Sequence, residues 1–160
     1  MENLGLKYLI EKKIVSLYNL IIEEDDDEYL MSDCFIFDLA NGDLIQLLID
    51  YNNIFIFKLN DINEAKVIGD YDLSNSSIQL IEISLVNTNK IYTIKKIINQ
   101  DSGYVYCAVF LDINSKFLLG FILGFDEINL LTDELQVKKL VEGYRAYNTK
   151  EVTFDRIQPC

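Results

Sequence analysis

Apolar residues along this chain fall in short blocks separated by clusters of Asn, Asp, Gly and Ser, the rhythm of strands and tight turns rather than of long helices. KIVSLYNLII, beginning at Lys13, is rich in β-branched and aromatic residues and reads as a strand running into EEDDDE, Glu23 to Glu28. Six successive acids do not suit a strand interior, so this run is expected to form a turn or an exposed loop. CFIFDLANGDLIQLLID then sets two apolar runs about Asn41-Gly42, a pair suited to a two-residue hairpin turn with positive φ at both positions. Asp50-Tyr51-Asn52-Asn53 supplies a further turn before IFIFKL, and residues 13–58 read as a four-strand antiparallel meander. A polar stretch over 60–76, with Asp61, Asn63, Gly69, Asp70, Asp72, Ser74 and Asn75, is expected to cross the surface.

The same order of signals then returns. KIYTIKKII, YVYCAVFLD, FLLGFILGF and INLLT are separated by Asp101-Ser102-Gly103, Asn114-Ser115-Lys116 and Asp126-Glu127, giving a second four-strand meander. Lys13–Ile21 aligns with Lys90–Ile98 at an offset of 77; Cys34, Phe37, Asn41 and Ile49 align with Cys107, Phe110, Asn114 and Ile122 at 73; and Tyr51 and Ile54 align with Phe125 and Ile128 at 74. An internal duplication with halves 1–73 and 74–132 fits this pattern, and so do two unrelated meanders that share a composition rich in Ile, Leu and Phe.

Helical periodicity is confined to three places. Leu6, Leu9 and Ile10 behind Asn3 predict a short helix over 3–12. Ile78, Ile81 and Leu85 have helical spacing over 76–86, although the Ile and Val content there suits a strand equally. Thr132 is placed to cap a helix over 133–142, with Gly143 just past its end and Leu135, Val137, Leu140 and Val141 turned to the sheet. A last strand, EVTFDRI, follows, so 133–157 forms a carboxyl-terminal helix and strand. The expected fold is a single α+β domain, 1–160, predominantly antiparallel β-sheet, with its helices on one face.

Composition narrows the function classes. Half the residues are apolar, including 22 Ile and 22 Leu, enough for a substantial core. No apolar run reaches the length of a membrane span, and the amino-terminal MENLGLKYLIEKK is broken by Glu2, Lys7 and Glu11, so a cytoplasmic protein without membrane contact is expected. Histidine is absent, which removes the commonest general base and transition-metal ligand. The three cysteines, Cys34, Cys107 and Cys160, are widely spaced and read as reduced thiols, the first two as core residues. The net charge of −12 argues against direct nucleic-acid binding and for a basic partner. That charge is lopsided: residues 1–73 carry 16 acids against 5 bases, residues 74–160 only 10 against 9.

No catalytic constellation emerges. Asp33, Asp38, Asp43, Asp50 and Asp61 sit at predicted strand ends and turns, where acids discourage edge pairing, and nothing fixes two of them as a hydrolytic pair. Gly120 and Gly124 lie in an apolar run without a phosphate-loop motif and suit a bulge or a crowded strand. Serine and cysteine nucleophiles have no histidine to activate them, so the chain is not expected to be an enzyme, and no metal or cofactor is implied. The acidic run stands above composition. It lacks the alternating ligands and glycine of a calcium loop, and reads either as a solvated loop or as a surface for a basic protein. Tyr18, Tyr29, Tyr51, Tyr71, Tyr144 and Tyr147 fall near strand ends or loops and suit either an interface or a sheet.

In type, the acidic first half, the segments CFIFDLANGDLIQLLIDYNNIFIF and FLLGFILGFDEINLL, and the missing chemistry resemble the immunity proteins of bacterial polymorphic toxins, including contact-dependent growth inhibition systems. The resemblance implies an inhibitor that binds one cognate toxin, often a nuclease domain with a basic surface, and occludes its active site. The partner-binding residues it points to are Glu23, Glu24, Asp25, Asp26, Asp27, Glu28, Tyr29, Asp50 and Tyr51. A non-catalytic adaptor or ligand-binding β-domain within a larger assembly is the competing expectation.

Overall fold

A computed structural model describes residues 3–24, 27–50, 53–65, 76–85, 87–124, 127–131, 133–145 and 148–155. The chain opens with a 3-10 turn, Leu6–Leu9, and then forms β1 (Ile14–Glu24), β2 (Asp27–Leu39), β3 (Leu44–Asp50) and β4 (Asn53–Leu59). A second 3-10 turn, Ile62–Glu64, precedes β5 (Ser76–Ile83). The remainder comprises β6 (Thr93–Asn99), β7 (Val105–Leu111), β8 (Phe117–Gly124), β9 (Glu127–Leu131), α1 (Glu134–Arg145) and β10 (Thr149–Asp155).

The strands make two five-stranded antiparallel sheets, ordered β4-β3-β2-β1-β5 and β10-β6-β7-β8-β9. Both follow one path: a four-strand meander, a connection, and a fifth strand that returns to the outer edge of the first. In register, Leu17 opposes Phe37 as Ile94 opposes Phe110, and Cys34 opposes Leu48 as Cys107 opposes Ile122. The partner of Ile122 in this comparison is thus Leu48, one residue from the Ile49 suggested by the sequence. The extra residue enters at a bulge in β8, where Leu111 opposes Phe117 but Phe110 opposes Leu119.

The sheets face each other across a shared core. Leu17, Phe35, Phe37, Ile45 and Leu47 of the first meet Ile94, Ala108, Phe110, Leu119 and Phe121 of the second. Phe121 occupies the middle, its ring centroid 5.4 Å from Phe35, 6.2 Å from Phe37 and 5.6 Å from Phe110, in tilted and edge-on arrangements. The outer face of the first sheet buries Leu20, Ile22, Cys34, Ile36 and Phe57 beside Ile62 of the second 3-10 turn and Ala65 just after it. The outer face of the second sheet buries Phe117 under α1, through Val137, Leu140 and Val141. Gly120 lets the helix sit there: a Cβ on it would lie 3.2 Å from Val137 Cγ2 and 3.4 Å from the Ala108 carbonyl.

Several expectations are corrected. Residues 3–12 hold only a 3-10 turn, because the chain leaves it extended at Ile10 and then turns through Glu11 at φ 69°. Among the described residues of 76–86 there is no helix: β5 pairs with β1 from Glu24↔Ser76 to Leu17↔Ile83, the ladder deciding what spacing left open. The 3-10 turns and α1 do not share a face, since Leu6 and Leu9 enter the central core while α1 and Ile62–Glu64 cover opposite outer faces. Asp133 caps α1, its Oδ1 accepting the Leu135 N–H at 3.0 Å; Thr132 lies outside the described residues. The helix continues through Gly143 to Arg145, and Leu135 is 62% exposed rather than packed on the sheet. The Asn41-Gly42 hairpin is a three-residue loop, with Gly42 N–H to Leu39 O at 2.9 Å and Leu39 N–H to Asp43 O at 3.0 Å, and only Gly42 takes a positive φ. The β7–β8 loop closes in the same way, with Ser115 at φ 60° in the glycine's place.

Candidate functional site

The acidic run is not a loop throughout. Glu23 and Glu24 end β1, and Asp27 and Glu28 begin β2, with Glu23↔Glu28 and Glu24↔Asp27 paired in the ladder. The strand persists through these acids because β1 is held on both sides, Glu23 opposing Ser77 of β5 as well. Directly opposed like charges destabilise an antiparallel pair, so the local sequence works against this hairpin end and the flanking ladders sustain it. The Glu23 carboxylate also accepts a hydrogen bond from Gln79 Nε2 at 2.5 Å. Asp25 and Asp26 lie outside the described residues.

The hairpin end is an addition to the first sheet. Cys34 lies fourteen positions after Leu20, but Cys107 lies ten after Ile97; two of the four extra residues are taken up by a wider bulge, between the Asn19↔Phe35 and Leu20↔Met31 pairs, and the other two lengthen the hairpin end. The β1–β2 ladder runs on from Leu20↔Met31 to Glu24↔Asp27, whereas β3 passes the Cys34↔Leu48 pair by only two residues, to Asp50. Level with Leu48, Leu20 is followed by four residues of β1, so at about 3.3 Å per residue the acidic end reaches about 7 Å past the end of β3. β1 and β3 run in the same direction, so both turns lie at one end of the sheet, and Asp50 closes β3 on that side. Tyr29 stands in β2 opposite Ile22, and Tyr51 lies outside the described residues. Of the other tyrosines, Tyr18 packs on the outer core of the first sheet and Tyr144 stacks on Tyr106 at 5.3 Å. Tyr71 and Tyr147 are outside the described residues.

The other acids have local tasks. Asp43 accepts hydrogen bonds from the Tyr8 hydroxyl and Asn41 Nδ2, and pairs with Lys58 Nζ at 3.1 Å. The Tyr8 hydrogen bond and the Lys58 ammonium hold its carboxyl below the usual range. Asp112, fully buried at the start of the β7–β8 loop, organises a cluster that the sequence does not announce. Its Oδ1 accepts the backbone N–H groups of Asn114 and Lys116 at 2.8 and 2.9 Å, and its Oδ2 accepts Asn87 Nδ2 and Asn89 Nδ2 at 3.1 and 3.0 Å. The asparagine hydrogen bonds, ahead of those from the backbone, draw its pKa down to about 2. With every acceptor site engaged by loop donors, this carboxylate is a structural clasp.

Among the described residues, no three Cys, Asp or Glu side chains gather to hold a metal ion, and none of their helices is long and apolar enough to cross a membrane. Burial lifts the Cys107 thiol to about 11, which makes it a poor nucleophile. A groove of about 370 Å³ lies beside α1, floored by Ile97, Val109 and Phe117. Its rim charges are matched, Lys95 with Glu151 at 3.8 Å and Lys138 with Glu134 at 3.5 Å. A scan against protein-family models and searches of curated proteins and solved structures return no match.

Proposed function

We propose that this chain is an immunity protein that binds a cognate bacterial toxin in the cytoplasm and blocks its active site, the toxin presenting a basic surface such as that of a nuclease domain. The observation that carries the reading is the acidic end of the β1–β2 hairpin, in which β1 runs two residues further than its counterpart β6 and stays in strand form despite opposed like charges. Glu23, Glu24, Asp27 and Glu28 are not part of the shared core, which supports a role for this end in meeting a partner. Concentrated charge on a projecting element steers a basic protein into encounter and sets its orientation, while neighbouring aromatic groups supply contact energy. The partner-binding residues in this reading are Glu23, Glu24, Asp25, Asp26, Asp27, Glu28, Tyr29, Asp50 and Tyr51.

The test is co-expression with the product of the adjacent reading frame. Growth rescue together with a stoichiometric complex supports the reading; a harmless neighbour that forms no complex overturns it.

A further inference from the structure

An antiparallel sheet ends in strands whose outer backbone groups have no strand to pair with, and folded chains guard such edges with cover, charge or shortness. Among the described strands, three of the four edges are guarded in this way. β4 is covered by the amino-terminal segment: the Leu4 N–H donates to Ile56 O at 2.8 Å, and Asn3 Oδ1 accepts the Ile56 N–H at 3.0 Å. β9 has only five residues and begins with Glu127. β10, the fifth strand of the second sheet, carries Lys150, Glu151 and Asp155 among its seven residues.

β5, its counterpart in the first sheet, has none of these protections. Its eight residues, SSIQLIEI, include one charge, Glu82, and no lysine, proline or glycine. Its ladder with β1 runs from Ser76 to Ile83 without a bulge. Among the described residues, no backbone hydrogen bond reaches it from any element but β1. Ile81 is 49% exposed although it lies on the face that carries Leu17 and Ile83 into the shared core, and Gln79 and Glu82 are exposed beside it. A bulge-free, nearly uncharged edge of this length is a template for a further strand.

Its own sequence suits it as that strand. An antiparallel two-fold axis beside Gln79 opposes residues of the same parity, so the two faces of the sheet continue across it. The register sets Ile78 opposite Leu80 of a second copy, Ser76 opposite Glu82, and Ser77 opposite the exposed Ile81. Charge agrees with this arrangement. Each chain carries −12, and Glu23 and Glu24 flank the Ser76 end of β5. Antiparallel pairing holds the two Ser76 ends about 20 Å apart, at about 3.3 Å per residue, whereas parallel pairing sets them side by side. With a single charge along it, the edge offers little by which to select an unlike strand.

We infer that β5 is the interface of a homodimer, in which two copies pair β5 edge to edge and antiparallel, joining their five-stranded first sheets into one of ten strands. The acidic hairpin ends point away from each other in this dimer, so the inference does not depend on the toxin reading.

Sedimentation equilibrium of the intact chain from about 1 to about 200 µM tests it. A reversible monomer–dimer equilibrium is expected, tightening as salt is raised because screening relieves the repulsion between two acidic chains. Ile81→Lys introduces the kind of charge that guards other edges and should weaken the dimer about tenfold or more. Ile113→Lys, at a residue 67% exposed in the β7–β8 loop, adds the same charge away from the edge and should leave the dimer unchanged. Should Ile81→Lys fail to fold, amide exchange of the unaltered chain reads the same contact: protection in β5 should rise with chain concentration and protection in β10 should not. A monomer throughout the range, an assembly larger than a dimer, no weakening by Ile81→Lys, equal weakening by both substitutions, or concentration-independent exchange in β5 would overturn the assignment.

Discussion

Replacing Asp112 by Asn tests how much a single buried carboxylate contributes to the second sheet. Four N–H groups converge on it at 2.8 to 3.1 Å, from the Asn114 and Lys116 backbone and from the Asn87 and Asn89 side chains. An amide of nearly the same shape offers one oxygen, so it serves one pair of donors and turns an NH2 toward the other. Two charge-assisted hydrogen bonds lost at about 1.5 kcal/mol each give about 3 kcal/mol. The shift in the carboxyl pKa from 3.8 to about 2 corresponds to about 2.5 kcal/mol, at about 1.4 kcal/mol per unit. Ile113 to Lys116 are exposed around the buried carboxylate, and solvent screening brings the working figure to about 2 kcal/mol. Because the pKa is lower in the folded chain, this stability is fully present above about pH 4 and is lost as pH falls through about 2. Urea denaturation of both proteins, followed by circular dichroism from pH 7 downward, should show a gap of about 2 kcal/mol that narrows toward pH 2. Equal stability at pH 7, or a gap that stays constant to pH 2, refutes the reasoning.

Phe121→Ala should cost about 4 kcal/mol in the same assay, through the cavity left among Phe35, Phe37 and Phe110; a loss below about 1 kcal/mol would contradict a core shared by both sheets. Gly120→Val drives methyl groups into Val137 and the Ala108 carbonyl, so about 2 kcal/mol of destabilisation and faster hydrogen exchange across α1 are expected. Unchanged exchange there would show that the helix does not need that close approach. Cys107, with its thiol raised to about 11, should react with iodoacetamide at pH 8 only as the chain unfolds, and rapid labelling of the native protein would contradict its burial.

The hairpins were legible because their information is local. Asn41-Gly42 and Asn114-Ser115 punctuate apolar runs, and a positive φ at Gly42 and Ser115 satisfies both loops. β5 was not, because Ile78 and Ile81 fit a helix as well as a strand until β1 offers a ladder. The strand character of Glu23, Glu24, Asp27 and Glu28 was hidden for the same reason: neighbours on both sides of β1 override a poor local preference. Asp112 with Asn87 and Asn89, and Lys7 with Lys96 and Phe154, join segments that only the folded chain brings together. What composition did convey was the concentration of acid in the first half, and the structure locates part of it at the end of one extended hairpin.

The most direct test of that hairpin's role is rescue of growth from the cognate toxin by the intact chain and by a variant with Glu23 to Glu28 changed to the corresponding amides, at matched expression. The account predicts full rescue by the first and, at equal abundance, much weaker rescue by the second, with slower and less salt-sensitive association of the purified pair. Equal rescue and equal association rates would place the recognition surface elsewhere on the molecule.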